Sequence, residues 1–519
     1  MGAQPLARIT APADFDRWLV PPCALAIHLC IGMAYGFSVF WLPLTHAIGI
    51  TQSTLCEGLT LTGALVTTGC DWRVSDLVWV YTLFFVVLGL AAALFGGWVE
   101  RVGPRRSGLV AAACWCGGLA IGALGVALHQ LWLLWLGAGV IGGIGLGIGY
   151  ITPVSTLLKW FPDRRGLATG MAIMGFGGGA MVGSPLADRL MAAFAGAGSV
   201  GVWQTMLLLA GLHALFMVAG ALGFRLPPPG WAPPATAEVI AGGRHVALGV
   251  ATRTPQFWLV WCVLLLNVSA SIGIIGLASP MIQEMFGGRL IGAPGTRFEA
   301  LGDARKTAAG AVGAAFVGLI SLFNIAGRFF WSSLSDRLGR KRLYLLILAL
   351  GGACYGVVLP GTASLALFLA CFALIASMYG GGFAAVPAWL ADLFGTRQVG
   401  AIHGRLLTAW STAGIVGPLL VAYVRDARLA AGVPREAVYG PIFQMLAGML
   451  ALGLVAALLV RPVPADLWAD DDAPASREGG TATAARPAWG LRLMTWSAVL
   501  IPLAWGGWFT VAKAILLPG

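Results

Sequence analysis

Charge is what this sequence has least of. Of 519 residues only 10% are Asp, Glu, Lys or Arg, where a soluble protein carries about 25%. With 58% of the chain hydrophobic and a mean hydropathy of +0.85, a set of soluble globular domains is excluded. No apolar run carries an Asp or Glu near its middle, which counts against carriers that couple sugar or drug movement to a membrane-buried acid. No His/Glu metal pair and no converging Ser/His/Asp set occurs in these runs, so no enzyme, metal or cofactor is expected. The nine cysteines form no metal pattern; Cys114 and Cys116 make a C-x-C inside an apolar run, where packing is the expected role. The start, with Asp14, Asp16 and Arg17 before the first apolar run, lacks a small-residue cleavage site, so no signal peptide is expected. The net charge of +11 is spread in small groups between apolar runs. That is a topology signal and not a nucleic-acid footprint.

What is there is a series of apolar runs of about 20 residues. They predict spans near 19–44, 77–99, 107–128, 131–157, 167–190 and 202–224, then 256–282, 309–334, 342–361, 364–391, 404–424 and 439–460. A Pro- and Gly-rich break, 225–255, separates the two sets and reads as a linker. The acidic stretch Pro462 to Arg486, with Asp470, Asp471 and Asp472 together, reads as a second, disordered linker. A last apolar run closes the chain near 493–516. The 74 glycines suit close helix approach in a bilayer. The domains are thus 1–224 (an amino-terminal six-helix bundle), 225–255, 256–461 (a second bundle), 462–490 and 491–519 (an extra helix).

Short loops on the linker's side hold fifteen Lys and Arg, those on the other side eight. The positive-inside rule therefore places the amino terminus and the central linker in the cytoplasm and the carboxyl terminus outside. The halves also repeat. GGWVERVGPRR (96–106) aligns with SSLSDRLGRKR (332–342) at an offset of 236, and KWFPDRRG (159–166) matches DLFGTRQVG (392–400) more loosely. Parallel six-span repeats place a substrate site at their interface, near the midplane.

Arg328 stands apart from the other cations. It lies inside the apolar run from Ala308 to Leu334, eight residues before Asp336, or roughly 12 Å of helix. If Asp336 marks the membrane surface, Arg328 sits near the middle of a hydrocarbon core about 30 Å thick. A guanidinium there costs at least about 2.5–3.5 kcal/mol, which makes it a functional-site candidate before anything else.

The repeated turn resembles the loop between the second and third spans of the major facilitator superfamily, G-x-x-x-D-R-x-G-R-R. Gly96, Glu100, Arg101, Gly103, Arg105 and Arg106 match the first copy, and Asp336, Arg337, Gly339, Arg340 and Lys341 the second. The resemblance implies an all-α polytopic membrane protein of major facilitator fold, two bundles of six helices plus a thirteenth. Glycine makes the tight turn, and the acid and arginines are expected to bridge to helix ends of the other half, latching the cytoplasmic side shut.

A second layer, KWFPDRRGLATGMAIMGFGGGA (159–180), FNIAGR before the basic turn and IHGRLLTAWSTAGIVGP (402–418), resembles the oxalate/formate antiporter family over roughly residues 18–461. That resemblance implies a small carboxylate held by an arginine of the eighth span and a lysine of the eleventh, within aromatic walls. Arg328 falls on the arginine, but Trp410 stands where the lysine belongs. Carboxylates survive this departure as the substrate class; oxalate specificity does not. The aromatic wall maps onto Tyr35, Tyr150, Phe176, Tyr379 and Phe383, the last two four apart and on one helix face.

His403, seven residues before Trp410, is a candidate proton or entrance residue. Cys56 and Cys70 lie fourteen apart in a polar segment expected to face an oxidising periplasm, where they are expected to form a disulfide. The last run resembles the very short single-span proteins that accompany some carriers of this family, here fused; it is expected to pack outside the twelve-span core. Together these readings imply a monomeric inner-membrane secondary transporter of small carboxylates, with a proton or counter-anion as co-substrate. Formate, lactate or pyruvate are favoured over oxalate. The competing readings are a carrier for a neutral or cationic solute, against which Arg328 argues, and a non-transporting sensor, against which the lack of a globular output domain argues.

Overall fold

The computed structural model describes residues 9–515 apart from positions 13, 45, 50–53, 55–58, 73, 197, 229–230, 232–243, 276–277, 294, 302, 363 and 471–488. The chain is almost entirely helical, as it must be where no water is present to satisfy backbone N–H and C=O groups. In the first half the main helices are α1 (Val20–Ile31), α2 (Val74–Val102), α3 (Pro104–Ala127), α4 (Gly143–Trp160), α5 (Arg165–Phe194) and α6 (Val202–Gly223). In the second they are α7 (Pro255–Ile275), α8 (Asp303–Leu338), α9 (Arg340–Ala353), α10 (Leu365–Phe394), α11 (Val399–Leu406), α12 (Thr408–Ala430) and α13 (Tyr439–Leu459). A final helix, α14, covers Trp489–Ile515. Among the described residues ten helices are long and apolar enough to cross a membrane.

Three details differ from the apolar-run reading. After Ile31 the first span continues as a 3-10 helix, Gly32–Phe40. The eleventh run is interrupted at Leu407, so α11 and α12 are separate helices. Arg244–His245 (β1) pairs antiparallel with Ala469–Asp470 (β2), tying the central linker to the segment that follows α13. A two-residue strand is too short to carry an alternation pattern, which is why the sequence does not announce it.

The chain forms two compact units. Unit 1 is Met1–Thr252, Leu390–Thr408 and Pro464–Leu503; unit 2 is Arg253–Trp389, Ala409–Val463 and Ala504–Gly519. Residues 390–408 belong by sequence to the second repeat, yet they pack within unit 1. The cause is backbone-to-backbone approach of α11 and α2. A Cβ on Gly96 would stand 2.6 Å from Cα of Ala401, and one on Gly404 would overlap the carbonyl oxygen of Ala92. Side chains at these positions would force the helices apart.

Unit 1 also receives the first half of α14. Arg492 forms an ion pair with the buried carboxylate of Asp16. Trp496 Nε1 donates to the carbonyl of Trp18 at 3.1 Å, and Val499 packs with Leu25 and Ala26 of α1. Leu503 fills the space left by the missing side chain of Gly178 on α5.

Candidate functional site

In unit 2, Arg328 is 1% exposed. Its Nε donates to Oδ1 of Asn324, one turn earlier on α8, at 3.0 Å. The amide of Asn324 is itself fixed, donating from Nδ2 to the carbonyl of Ala376 on α10 at 3.2 Å. The guanidinium carbon stands 5.5 Å from the centre of the Phe383 ring, a cation–π geometry. Phe383 meets Trp410 edge to face, with centroids 4.6 Å apart, and Tyr379 lies 6.5 Å from Phe383. Trp410, Tyr379 and Phe383 are all buried. Arg328, Tyr379, Phe383 and Trp410, chosen from sequence, therefore form one group.

Small residues make this possible. A Cβ on Gly327 would overlap the Ser377 carbonyl, and one on Gly380 would sit 3.1 Å from Cγ of Arg328 and overlap the Asn324 carbonyl. Helices α8 and α10 thus cross in close backbone contact, and the Arg328 stem runs along that crossing. The role of Asn324 as the orienting partner was not foreseen from the sequence. Its i, i+4 spacing to Arg328 is the cue that was available.

In unit 1 a second aromatic group forms around Phe176. Tyr35 and Tyr150 both meet its ring edge-on, at 5.0 and 5.4 Å. Phe85 stacks on Tyr35 at 5.7 Å. Tyr35, Tyr150 and Phe176 thus come together in one group. The sequence reading missed His28 of α1, which is fully buried and stacks on Tyr150 at 5.2 Å. Its Nδ1 lies 2.6 Å from the carbonyl oxygen of Ala172, and its Nε2 lies 3.1 Å from that of Tyr150. His403 approaches Tyr150 from α11, with centroids 5.8 Å apart, and is 1% exposed.

The basic turns are built alike. Gly103 and Gly339 have φ of +80° and +83°, a backbone state that only glycine adopts without strain. Arg105 Nη2 donates to the carbonyl of Phe224, just past the end of α6, at 3.3 Å. Lys341, 236 positions on, donates to the carbonyls of Leu458 and Val460 at the end of α13, at 2.7 and 2.9 Å. A cation there satisfies carbonyls that have no intrahelical partner.

These two cations bind helix ends of their own half, where the sequence reading had them reach the other. The acid does reach across. Glu100 Oε1 accepts from the Gly400 N–H at 2.9 Å and from Ser155 Oγ at 2.7 Å, and Oε2 pairs with Lys159 at 2.6 Å. It is thus a carboxylate at the amino-terminal end of α11. Asp336 pairs with Arg340 at 2.6 Å, while Arg101 bonds back to Gly97 O. Arg106 and Arg337 are exposed.

At the end of unit 2 opposite its basic turn, Glu284 accepts from Arg425 Nη2 at 2.5 Å and Arg435 Nη1 at 2.8 Å, and from the Tyr439 hydroxyl. Burial pushes its carboxyl up, but the bonds to Arg425, Tyr439 and Arg435 outweigh that and hold it below the usual range. In unit 1, Asp71 behaves similarly: burial raises it, and the N–H groups of Ile48, Thr54 and Gly49 lower it further. Beside it, Cys70 is disulfide-bonded; Cys56, its expected partner, lies outside the described residues. Among the described residues no cluster of His, Cys, Asp or Glu could hold a metal ion.

This architecture has relatives. A solved major facilitator superfamily transporter, FucP, in the outward conformation superposes with a TM-score of 0.59, covering 86% of this chain and 100% of that one at 12% identity; the likeness shows the fold. The oxalate:formate antiporter of Oxalobacter formigenes is 26% identical over 406 residues, 78% of this chain and 83% of that protein. The apicoplast pyruvate carrier 1 of Toxoplasma gondii is 27% identical over 395 residues, 64% and 66%. These relatives are transporters and not enzymes. The model of the Major Facilitator Superfamily matches twice, over residues 24–301 and 295–517. Two copies of one family pattern, over a helical chain with a duplicated basic turn, identify this multi-pass membrane transporter as a member of the Major Facilitator Superfamily.

Proposed function

We propose that this chain moves small carboxylate anions by alternating access, monocarboxylates in preference to oxalate, with Arg328 as the anion-binding group. The observation that carries the reading is a guanidinium buried among aromatic rings, its Nε held by Asn324. A guanidinium is a planar fork whose geometry suits a carboxylate through paired hydrogen bonds. Similarity to an oxalate:formate antiporter and a pyruvate carrier supports the substrate class.

Trp410 beside Phe383 supplies apolar surface where the antiporter family has its second cation. A monoanion is neutralised by Arg328 alone. A dianion would keep one charge uncompensated, at a cost of several kcal/mol. In this reading Tyr379, Phe383 and Trp410 enclose the short tail of formate, lactate or pyruvate, and Tyr35, Tyr150 and Phe176 form an aromatic wall.

The contact of α2 with α11, fastened by Glu100, acts as the cytoplasmic gate. The protein works as a monomer in a bacterial inner membrane with its amino terminus inside. Helix α14 is a thirteenth, fused span that packs on α1 and α5 without lining the pathway. Cys56 and Cys70 close an outer loop, a constraint worth roughly 3 kcal/mol; two alkylatable thiols in the non-reduced protein would rule out that bond.

The deciding experiment is counterflow of radiolabelled formate, lactate, pyruvate and oxalate into proteoliposomes of purified protein. Exchange of at least one monoanion, faster than oxalate, is expected. No exchange of any carboxylate would overturn the reading.

A further inference from the structure

His28 carries chemistry that the anion site does not use. Both of its ring nitrogens face carbonyl oxygens, Ala172 on α5 and Tyr150 on α4. A neutral imidazole has one N–H, so one of these contacts would set lone pair against lone pair. An imidazolium donates to both. Carbonyl oxygens have two lone pairs, so each accepts this bond beside its helical one.

We infer that His28 is the proton-loading site of this transporter, so that one proton moves with each monocarboxylate anion. The inference rests on the carboxylate reading and specifies its co-substrate. The imidazole takes a proton from water on one side of the membrane and returns it to water on the other; no bond other than N–H forms or breaks.

The surroundings of His28 supply a means of changing its proton affinity between states. Tyr150 lies between two imidazoles, His28 stacked at 5.2 Å and His403 tilted at 5.8 Å. Within the buried His403 side chain Nδ1 has no hydrogen-bond partner among the described residues. Two imidazolium charges this close in a dry site disfavour one another, so the cluster holds one proton at a time. His403 rides on α11, the helix that Gly96 and Gly404 let dock against α2. When α11 leaves α2, His403 leaves His28 and water gains access; when it docks, the pair is sealed.

Among the described residues, titratable groups face His28 from several elements. Helix α4 offers Tyr150 and the 390–408 segment offers His403, while the 3-10 continuation of α1 carries Tyr35, in contact with Phe176. Helix α5 presents the Ala172 carbonyl and the Phe176 ring, its own charged residues Arg165, Asp188 and Arg189 lying seven or more positions away in sequence. On α6, His213 accepts from Trp115 Nε1 of α3.

The test compares gradient-driven uptake with counterflow in the same proteoliposomes, using radiolabelled pyruvate. In wild type, an inward proton gradient drives accumulation, and adding pyruvate without a gradient makes the outside medium alkaline. For His28→Gln, the ratio of gradient-driven uptake to counterflow is expected to fall about tenfold or more. His28→Asn serves if the first variant does not fold. Wild-type uptake indifferent to the gradient despite brisk counterflow, or a variant that follows the gradient as wild type does, overturns the proposal. Absent counterflow in wild type overturns the carboxylate reading instead. Nitrogen-15 NMR of histidine-labelled protein then decides the proton site without substrate. An imidazolium signal that appears on acidification and is missing from His28→Gln supports it, and identical histidine spectra overturn it.

Discussion

In the first basic turn Arg105 donates to the carbonyl of Phe224; in the second, Lys341 donates to that of Val460, donor and acceptor both displaced by 236 positions. The acids of the same turns are engaged differently. Glu100 collects Gly400 N–H, Ser155 and Lys159, whereas Asp336 pairs with Arg340 of its own turn. One motif thus contains two devices: a cation that fastens the third helix of each repeat to the end of the sixth, and an acid available for helix-end contacts. The first serves stability. The second, at Glu100, is joined to a helix that belongs by sequence to the other repeat, the contact proposed above as the gate.

If that division holds, the largest effect comes from the gate and not the fasteners. Gly404→Val would drive a branched side chain into the Ala92 carbonyl. Counterflow is expected to fall about tenfold or more, since overpacking of this kind costs about 1–3 kcal/mol. Counterflow at the wild-type rate would break the link between α2–α11 contact and transport.

Glu100→Gln keeps the shape but loses the ion pair with Lys159 and weakens the bond from Gly400, each charge-assisted. A loss of roughly threefold to tenfold in counterflow is expected, with little change in the amount of folded protein. A stability loss without a transport loss would move Glu100 into the fastener class.

Arg105→Ala and Lys341→Ala should each cost about 1 kcal/mol, read as similar drops in apparent melting temperature. Their contacts lie in different helix pairs, so the double variant should show the sum. Unequal or strongly non-additive shifts would show that the two turns are not equivalent fasteners. The smallest effect on transport is expected from Arg492→Ala, which unties α14 from Asp16. Counterflow within about twofold of wild type is expected, alongside lower thermal stability. A complete loss of transport with the fold intact would put α14 in the pathway.

Much of this organisation was legible because membrane chains announce themselves through cost. An arginine amid apolar residues is expensive enough to stand out, and Arg328 is buried, with Phe383 beside it and Trp410 next to that ring. The repeat was legible because glycines with φ near +80° admit no other residue cheaply.

His28 was not legible. A histidine in an apolar run can be an ordinary packed side chain, as His213 is, accepting from Trp115. What distinguishes His28 is two backbone carbonyls from helices more than 120 positions away, and a carbonyl has no residue type to recognise. The same reason hid the acceptors of Arg105 and Lys341. The domain boundary at 390–408 was hidden too, because it depends on glycine faces meeting and not on any break in the apolar pattern.

The central claim is that the Arg328 fork, and not merely its charge, binds the carboxylate. Radiolabelled monocarboxylate counterflow by Arg328→Lys, at matched amounts of folded protein, tests it most directly. The lysine retains the charge but loses the paired hydrogen bonds and the Nε bond to Asn324, so a loss of about tenfold or more is predicted. Exchange by Arg328→Lys at the wild-type rate would contradict the account.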